Sequence, residues 1–259
     1  MIPMITFDQV SWKRDTRTIL HNVSFTMNNE EHWVILGRNG SGKTTMLEMI
    51  NGYLFPTSGT VQVLGETYGQ CDVREVRKRI GYISQSLMDK LALRDPVWEV
   101  VASGVHAYLR LYQAVPAEVE HRARELLKEL RIAHLTDQAL GTLSQGERKK
   151  VMLARAMMAN PKLLILDEPC SGLDLYERER FLADLQLLSD RGVQFLYVTH
   201  HIEEIMPLFT HVLLLGAGRI EAAGAKHEVV TSDLIARAYD VQAELEWYKD
   251  RPWAKVREG

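Results

Sequence analysis

The sequence predicts an α/β fold: a mainly parallel sheet, an N-terminal antiparallel β subdomain and an inserted α-helical subdomain. Three observations predict it. Residues 33–36, Trp-Val-Ile-Leu, form a short apolar, partly β-branched run, and a glycine-rich loop and a helical stretch follow directly. Residues 163–166 and 193–198 are two more such runs, and they lead into acids and histidines. Strands of an open parallel sheet end this way where a ligand binds. Between these early and late strands, residues 87–161 change to helical periodicity.

The loop after residue 36 carries the most chemistry. It reads Gly37-Arg38-Asn39-Gly40-Ser41-Gly42-Lys43-Thr44-Thr45, the phosphate-binding pattern G-x-x-x-x-G-K-[ST]. Its glycines let the backbone curl so that successive N–H groups face phosphate oxygens. The following helix adds its positive dipole end. In such a loop Lys43 reaches the β- and γ-phosphates and Thr44 gives a hydroxyl to Mg²⁺. The expectation is the core of a P-loop nucleoside triphosphatase. The helix is expected to stop at Gly52 in a left-handed position.

Composition narrows the classes. The chain has 259 residues, enough for one α/β domain with a helical insert. Hydrophobic content of 46% and charged content of 25% are ordinary for a globular protein. A formal net charge of −3 offers nucleic acid no electrostatic attraction, so none is expected as a partner. There is no run of 18 apolar residues to span a membrane and no signal peptide at residues 1–4. Cys71 and Cys170 read as two free thiols in a reducing cytoplasm.

In chain order, residues 4–11 alternate as a half-buried strand. Trp12 follows, then a charged turn at 13–17 and a second strand at 18–27. Trp12 is either a stacking platform for a base or a core tryptophan, and residue type alone favours the core. A turn at 55–59 precedes a β-rich run at 60–64. A short basic helix at 73–79 leads to a strand at 80–84 that ends at Gln85, a residue usually solvated or capping. Pro96 starts a helix expected to run to about residue 111, and Pro116 another at 117–130. Ser144 and Glu147 form a capping box ahead of an apolar-periodic helix. The same helix start is also a possible anion site.

Residues 163–166 end in Asp167-Glu168. The two acids either cap the next turn or serve a bound phosphate, Asp167 holding Mg²⁺ through water and Glu168 orienting or deprotonating the attacking water. A tight turn at 171–174 precedes a helix at 176–191 and the strand at 193–198. His200 follows that strand, beside the acids, in reach of a γ-phosphate; zinc is not expected at His200-His201. Residues 212–223 read as a hairpin about Gly216-Ala217-Gly218, and 232–239 as a helix. Residues 241–256 read as a last hairpin broken at 250–252.

Taken together, these motifs resemble the nucleotide-binding subunit of an ABC transporter, from Ile5 to about Tyr239. The resemblance implies a single ABC ATPase domain over 1–259, with a helical subdomain at about 87–161 and a tail at 240–259. It implies ATP and Mg²⁺ as ligands. Trp12 becomes the adenine-stacking aromatic, and Gly37, Arg38, Asn39, Gly40, Ser41, Gly42, Lys43, Thr44 and Thr45 the phosphate loop. Gln85 becomes the loop glutamine, serving catalysis and, with Thr44 and Asp167, the metal. Residues 143–147 become the signature loop, in which Ser144 and Gly146 contact nucleotide. Glu168 becomes the catalytic glutamate, 171–174 the turn joining two active sites, and His200 the switch histidine.

In one place the sequence departs from the family. The usual Leu-Ser-Gly-Gly-Gln signature reads Leu-Ser-Gln-Gly-Glu here, with Gln145 and Glu147 substituted. A carboxylate near phosphate repels it, and the capping box turns Glu147 back to the Ser144 N–H. Residues 97–104 resemble importers for iron chelates, cobalamin and divalent metals. The expected function is therefore the ATPase of a transporter, with import favoured. Two copies, or a homologous pair, close on ATP and drive a separate transmembrane permease from the cytoplasmic face of the inner or plasma membrane. The alternative is a soluble ABC ATPase acting on ribosomes or DNA. Against it stand the single cassette and the absence of a long coiled coil between the loop and residue 143.

Overall fold

The computed structural model describes residues 2–189 and 191–256. Lys78–Val193 form one compact unit, and the chain before and after them forms another.

The flanking unit begins with β1 (Ile5–Arg14) and β2 (Arg17–Met27), paired antiparallel from Ile5↔Met27 to Arg14↔Arg17. The turn between them is only Asp15-Thr16, shorter than the expected 13–17. Trp12 consequently lies inside β1, half-buried and opposite Leu20. Pairing with β2, Lys13↔Thr18 and Arg14↔Arg17, keeps these polar residues in the strand. β3 (Trp33–Leu36) is buried throughout. α1 (Lys43–Ile50) ends at Asn51, and Gly52 takes φ 66°, the left-handed stop expected from the sequence. β4 (Ser58–Val63) and β5 (Glu66–Thr67) complete a four-stranded antiparallel sheet in the order β2-β1-β4-β5, and α2 (Val73–Arg77) follows.

The second unit holds β6 (Ile80–Ile83), α3 (Gln85–Met88), α4 (Val97–Ala102), α5 (Ala117–Glu129), α6 (Gln145–Met157), β7 (Leu163–Asp167) and α7 (Leu175–Ser189). β6 and β7 run parallel from Ile80↔Leu163 to Ile83↔Leu166. α4 stops well short of residue 111 and tightens into a 3₁₀ turn, Ser103–His106, closed by left-handed Ala107. Gly104 explains the stop: it is a weak helix former, and a Cβ there would meet the Arg155 carbonyl oxygen at 2.1 Å. The buried Arg155 guanidinium fastens this turn, donating to Ser103 Oγ at 3.2 Å and to the Tyr108 carbonyl at 2.7 Å. Burial lowers its pKa to about 10.

The chain then returns to the first unit with β8 (Gln194–Thr199), β9 (His211–Gly216), β10 (Arg219–Ala225), α8 (Lys226–Val229), α9 (Ser232–Tyr239), β11 (Ala243–Tyr248) and β12 (Arg251–Val256). β3 pairs in parallel with β8 on one side and β9 on the other, which is why all four of its side chains are buried. Ala217 and Gly218, at φ 44° and 77°, make a two-residue turn whose twist suits the β9–β10 hairpin. The last hairpin turns at Lys249-Asp250 rather than at 250–252, so Arg251 and Pro252 belong to β12. Asp250 is pinned there by buried Lys226, whose Nζ donates to Oδ2 at 2.6 Å. Among the described residues no helix is long and apolar enough to cross a membrane.

Candidate active site

In the first unit, β3 runs into Gly37 and β8 into His200. Their parallel register ends at Leu36↔Thr199, so the loop and the histidine leave neighbouring strand ends. A Cβ on Gly37 would meet the Leu215 carbonyl oxygen at 2.3 Å. Gly42, at φ 108°, needs both its left-handed backbone and its bare Cα, since a Cβ would meet Leu20 Cδ2 at 2.7 Å. The loop is thus wedged between β2 and β9, and Gly218 N–H holds it by donating to the Ser41 carbonyl at 3.0 Å.

Lys43 is buried, and its Nζ donates to the Gly37 and Arg38 carbonyls at 2.8 and 3.2 Å, folding the ammonium across the loop. The Ser41 hydroxyl is buried without a hydrogen-bond partner among the described residues. Gly42 gives α1 no side-chain cap, and no acid stands in its first turn. A buried orphan hydroxyl and an uncapped helix start are the features an anion would satisfy. Arg38, Asn39, Gly40 and Thr44 are exposed and Thr45 is half-buried. Trp12 stands one strand away: it faces Leu20, the residue packed on Gly42. The half-buried His200 accepts at its carbonyl from the Tyr239 hydroxyl at 3.0 Å, and its ring lies 4.1 Å from that of His201.

In the second unit the neighbouring ends of β6 and β7 bring Gln85 to the side of Asp167 and Glu168. Ser84 caps α3 by accepting from Leu87 N–H at 3.2 Å, so Gln85 begins a helix. Its amide is held at both ends. Nε2 donates to Asp89 Oδ1 at 2.8 Å, and Oε1 accepts from Lys149 Nζ at 3.3 Å. Burial pushes the Lys149 pKa down, and Cys170, Asp89 and Asp167 pull it the other way. Asp167 and Glu168 are half-buried. Glu168 has φ 45°, a left-handed conformation that costs a non-glycine residue about 1–3 kcal/mol and is typical of functional positions.

The capping box at α6 is complete. Ser144 N–H and Oγ–H both reach Glu147 Oε2 at 2.8 Å, and Glu147 N–H donates back to Ser144 Oγ at 3.3 Å. Ser144 is exposed, whereas Gly146 is buried, and a Cβ there would sit 2.1 Å from Glu177 Oε2. Sequence reasoning missed Lys149, Asp89 and Glu177. For Lys149 a signal existed: it sits at helical spacing between Gly146 and Leu153 on the buried face of α6.

The sequence pattern described as ABC transporter matches residues 20–171, more than half of the chain. This protein belongs to the ABC transporter ATP-binding family. Over 253 residues it is 39% identical to the uncharacterized ABC transporter ATP-binding protein YlmA of Bacillus subtilis (strain 168), covering 96% of each chain. It is 30% identical to the lipopolysaccharide export system ATP-binding protein LptB of Haemophilus influenzae, covering 91% of this chain and 96% of that one. Among solved structures, the dimeric post-hydrolysis state of the ATP-binding cassette MJ0796 bound to ADP and Pi matches with a TM-score of 0.74 at 26% identity. It covers 86% of this chain and 98% of that one. The ATPase is therefore an ATP-binding, ATP-hydrolysing transporter subunit of α/β fold, from a family whose members dimerise and work with membrane permeases.

Proposed function

We propose that two identical or homologous chains close head to tail around two ATP molecules and drive a separate transmembrane permease from the cytoplasmic face of the membrane. The observation that carries this reading is the uncapped start of α1 beside the orphan Ser41 hydroxyl, a site prepared for phosphate. Lys43 exchanges its two carbonyl partners for β- and γ-phosphate oxygens. The backbone from Gly37 to Thr45, including Arg38, Asn39, Gly40 and Gly42, wraps the phosphates, and Trp12 stacks on adenine. Thr44, Asp167 and Gln85 offer a hydroxyl, a carboxylate and an amide oxygen, hard donors that fit Mg²⁺. These residues would hold Mg²⁺, which would supply positive charge to the phosphoryl group in transfer. Glu168 takes a proton from the attacking water, and His200 hydrogen-bonds the γ-phosphate. Ser144 and Gly146 of the opposite chain complete the site at the start of α6.

For the solute, the similarity of residues 97–104 to importers of iron chelates, cobalamin and divalent metals supports import of that class. An export-system ATPase also stands among the relatives, so the membrane partner decides the direction. The soluble alternative on ribosomes or DNA draws no support from relatives that carry transporter names. Detergent co-purification of the tagged chain tests the reading. A polytopic membrane protein in stoichiometric amount is expected; ribosomal protein or nucleic acid in its place would overturn it.

A further inference from the structure

The start of α6 differs from an open anion site in one respect that bears on how the two chains close. A serine hydroxyl has a single proton to donate. In Ser144 that proton goes to Glu147 Oε2, and the Ser144 backbone N–H goes to the same oxygen, each at 2.8 Å. The Glu147 N–H is turned inward to Ser144 Oγ. A phosphate oxygen arriving here would meet a lone pair of the hydroxyl and a full negative charge.

A second carboxylate lines the same helix start, because Glu177 lies against Gly146. The three basic residues that follow Glu147 point elsewhere. Arg148 donates to the Gly141 carbonyl at 2.7 Å, Lys149 reaches Gln85, and Lys150 pairs with Asp184 at 2.7 Å. None of these contacts among the described residues neutralises Glu147.

We infer that the Glu147 carboxylate is an internal occupant of the phosphate position at the start of α6, and that ATP-driven pairing requires it to release Ser144. This inference rests on the reading of Ser144 as the contact to the opposite chain's γ-phosphate. Glu147 thereby sets a threshold. Pairing begins only when the attraction of a bound triphosphate for the Ser144 donors exceeds that of the resident carboxylate, so an ADP-loaded or half-loaded pair stays open.

Gln is the clean probe of this gate. A capping box accepts Gln as readily as Glu, so Glu147→Gln keeps the helix cap. It removes the charge and leaves the Ser144 hydroxyl on a neutral acceptor, a bond roughly half as strong.

The test is sedimentation of the full chain against rising Mg-ATP in the hydrolysis-blocked Glu168→Gln background. Four proteins are compared: the single variant, and the same with Glu147→Gln, Glu147→Ala or Ser144→Ala added. Glu147→Gln is expected to lower the half-maximal ATP concentration for dimer by about tenfold, with ATP affinity of the monomer and melting temperature unchanged. Ser144→Ala is expected to abolish the dimer. Glu147→Ala, which loses the cap but also the charge, is expected to pair more readily than Glu147 despite a lower melting temperature. An unchanged or raised half-point for both Glu147 variants, with Ser144→Ala still losing the dimer, overturns the gate and leaves the reading of Ser144 intact. A Ser144→Ala chain that pairs normally overturns that reading instead. If only the Glu147 variants pair, the gate is supported in its strongest form; if no variant pairs, it fails.

Discussion

Two helix starts in this molecule carry the same partial positive charge and treat it in opposite ways. α1 begins at Gly42 with no side-chain cap and no acid in its first turn, next to a buried hydroxyl that has no hydrogen-bond partner among the described residues. α6 begins at Ser144 with a reciprocal capping box that closes on its own carboxylate. Unsatisfied backbone donors at a helix start are satisfied either by the chain or by a ligand. Under the proposed function the first start is left for a ligand, and the chain supplies an acceptor of its own to the second. On this account the two starts bind ATP in sequence: α1 takes it first, in the isolated chain, and α6 joins only after displacing Glu147.

The sharpest way to break the comparison is at Lys43, whose ammonium the loop holds on the Gly37 and Arg38 carbonyls and which the proposed function turns to phosphate. Lys43→Ala is expected to weaken ATP binding by a hundredfold or more, roughly the loss of two charge-assisted bonds; equilibrium dialysis giving native affinity would remove α1 from the account. Gly37→Ala attacks the same start through its backbone. With the Leu215 carbonyl 2.3 Å from the new Cβ, the loop must move off β9, and nucleotide binding should fall with a visible loss of thermal stability. Trp12→Ala should weaken ATP and ADP alike, by about tenfold, because both carry the base. A loss confined to ATP in a fluorescence titration would return Trp12 to a packing role in β1. The smallest effect belongs to α6 in the monomer. Ser144→Ala should cost about 1 kcal/mol of stability as the loss of an N-cap, while ATP binding by the monomer stays native. Denaturant melts and titration of one sample read both quantities.

The glycine-rich loop and the complete capping box were legible because each depends on local spacing that the chain spells out, from Gly37 to Thr45 and from Ser144 to Glu147. So was the two-sided burial of β3, since its four residues are all apolar. The helix expected to reach residue 111 was not legible. Its stop depends on Arg155, more than fifty residues away, whose carbonyl leaves no room for a side chain at Gly104. Trp12 was placed just past its strand because its neighbours Lys13 and Arg14 look like a turn. Cross-strand pairing with Thr18 and Arg17 of β2 keeps them extended, a contact that residue type alone does not reveal. The hold of Lys149 on Gln85 is likewise tertiary: 64 residues separate the two, and no spacing rule spans that interval, whereas Asp89 lies at local helical spacing from Gln85.

The measurement that tests the central claim most directly is sedimentation of the Glu168→Gln chain in saturating Mg-ATP, in ADP, and in Mg-ATP with Ser144→Arg added. If the γ-phosphate joins α1 of one chain to α6 of the other, the first sample is a dimer with hydrolysis reduced by about a hundredfold or more. The ADP sample stays monomeric, and the long Arg side chain, filling the phosphate position, returns the third to monomer. A Glu168→Gln chain that hydrolyses ATP at the native rate, or that dimerises equally in ADP and with Ser144→Arg, would contradict it.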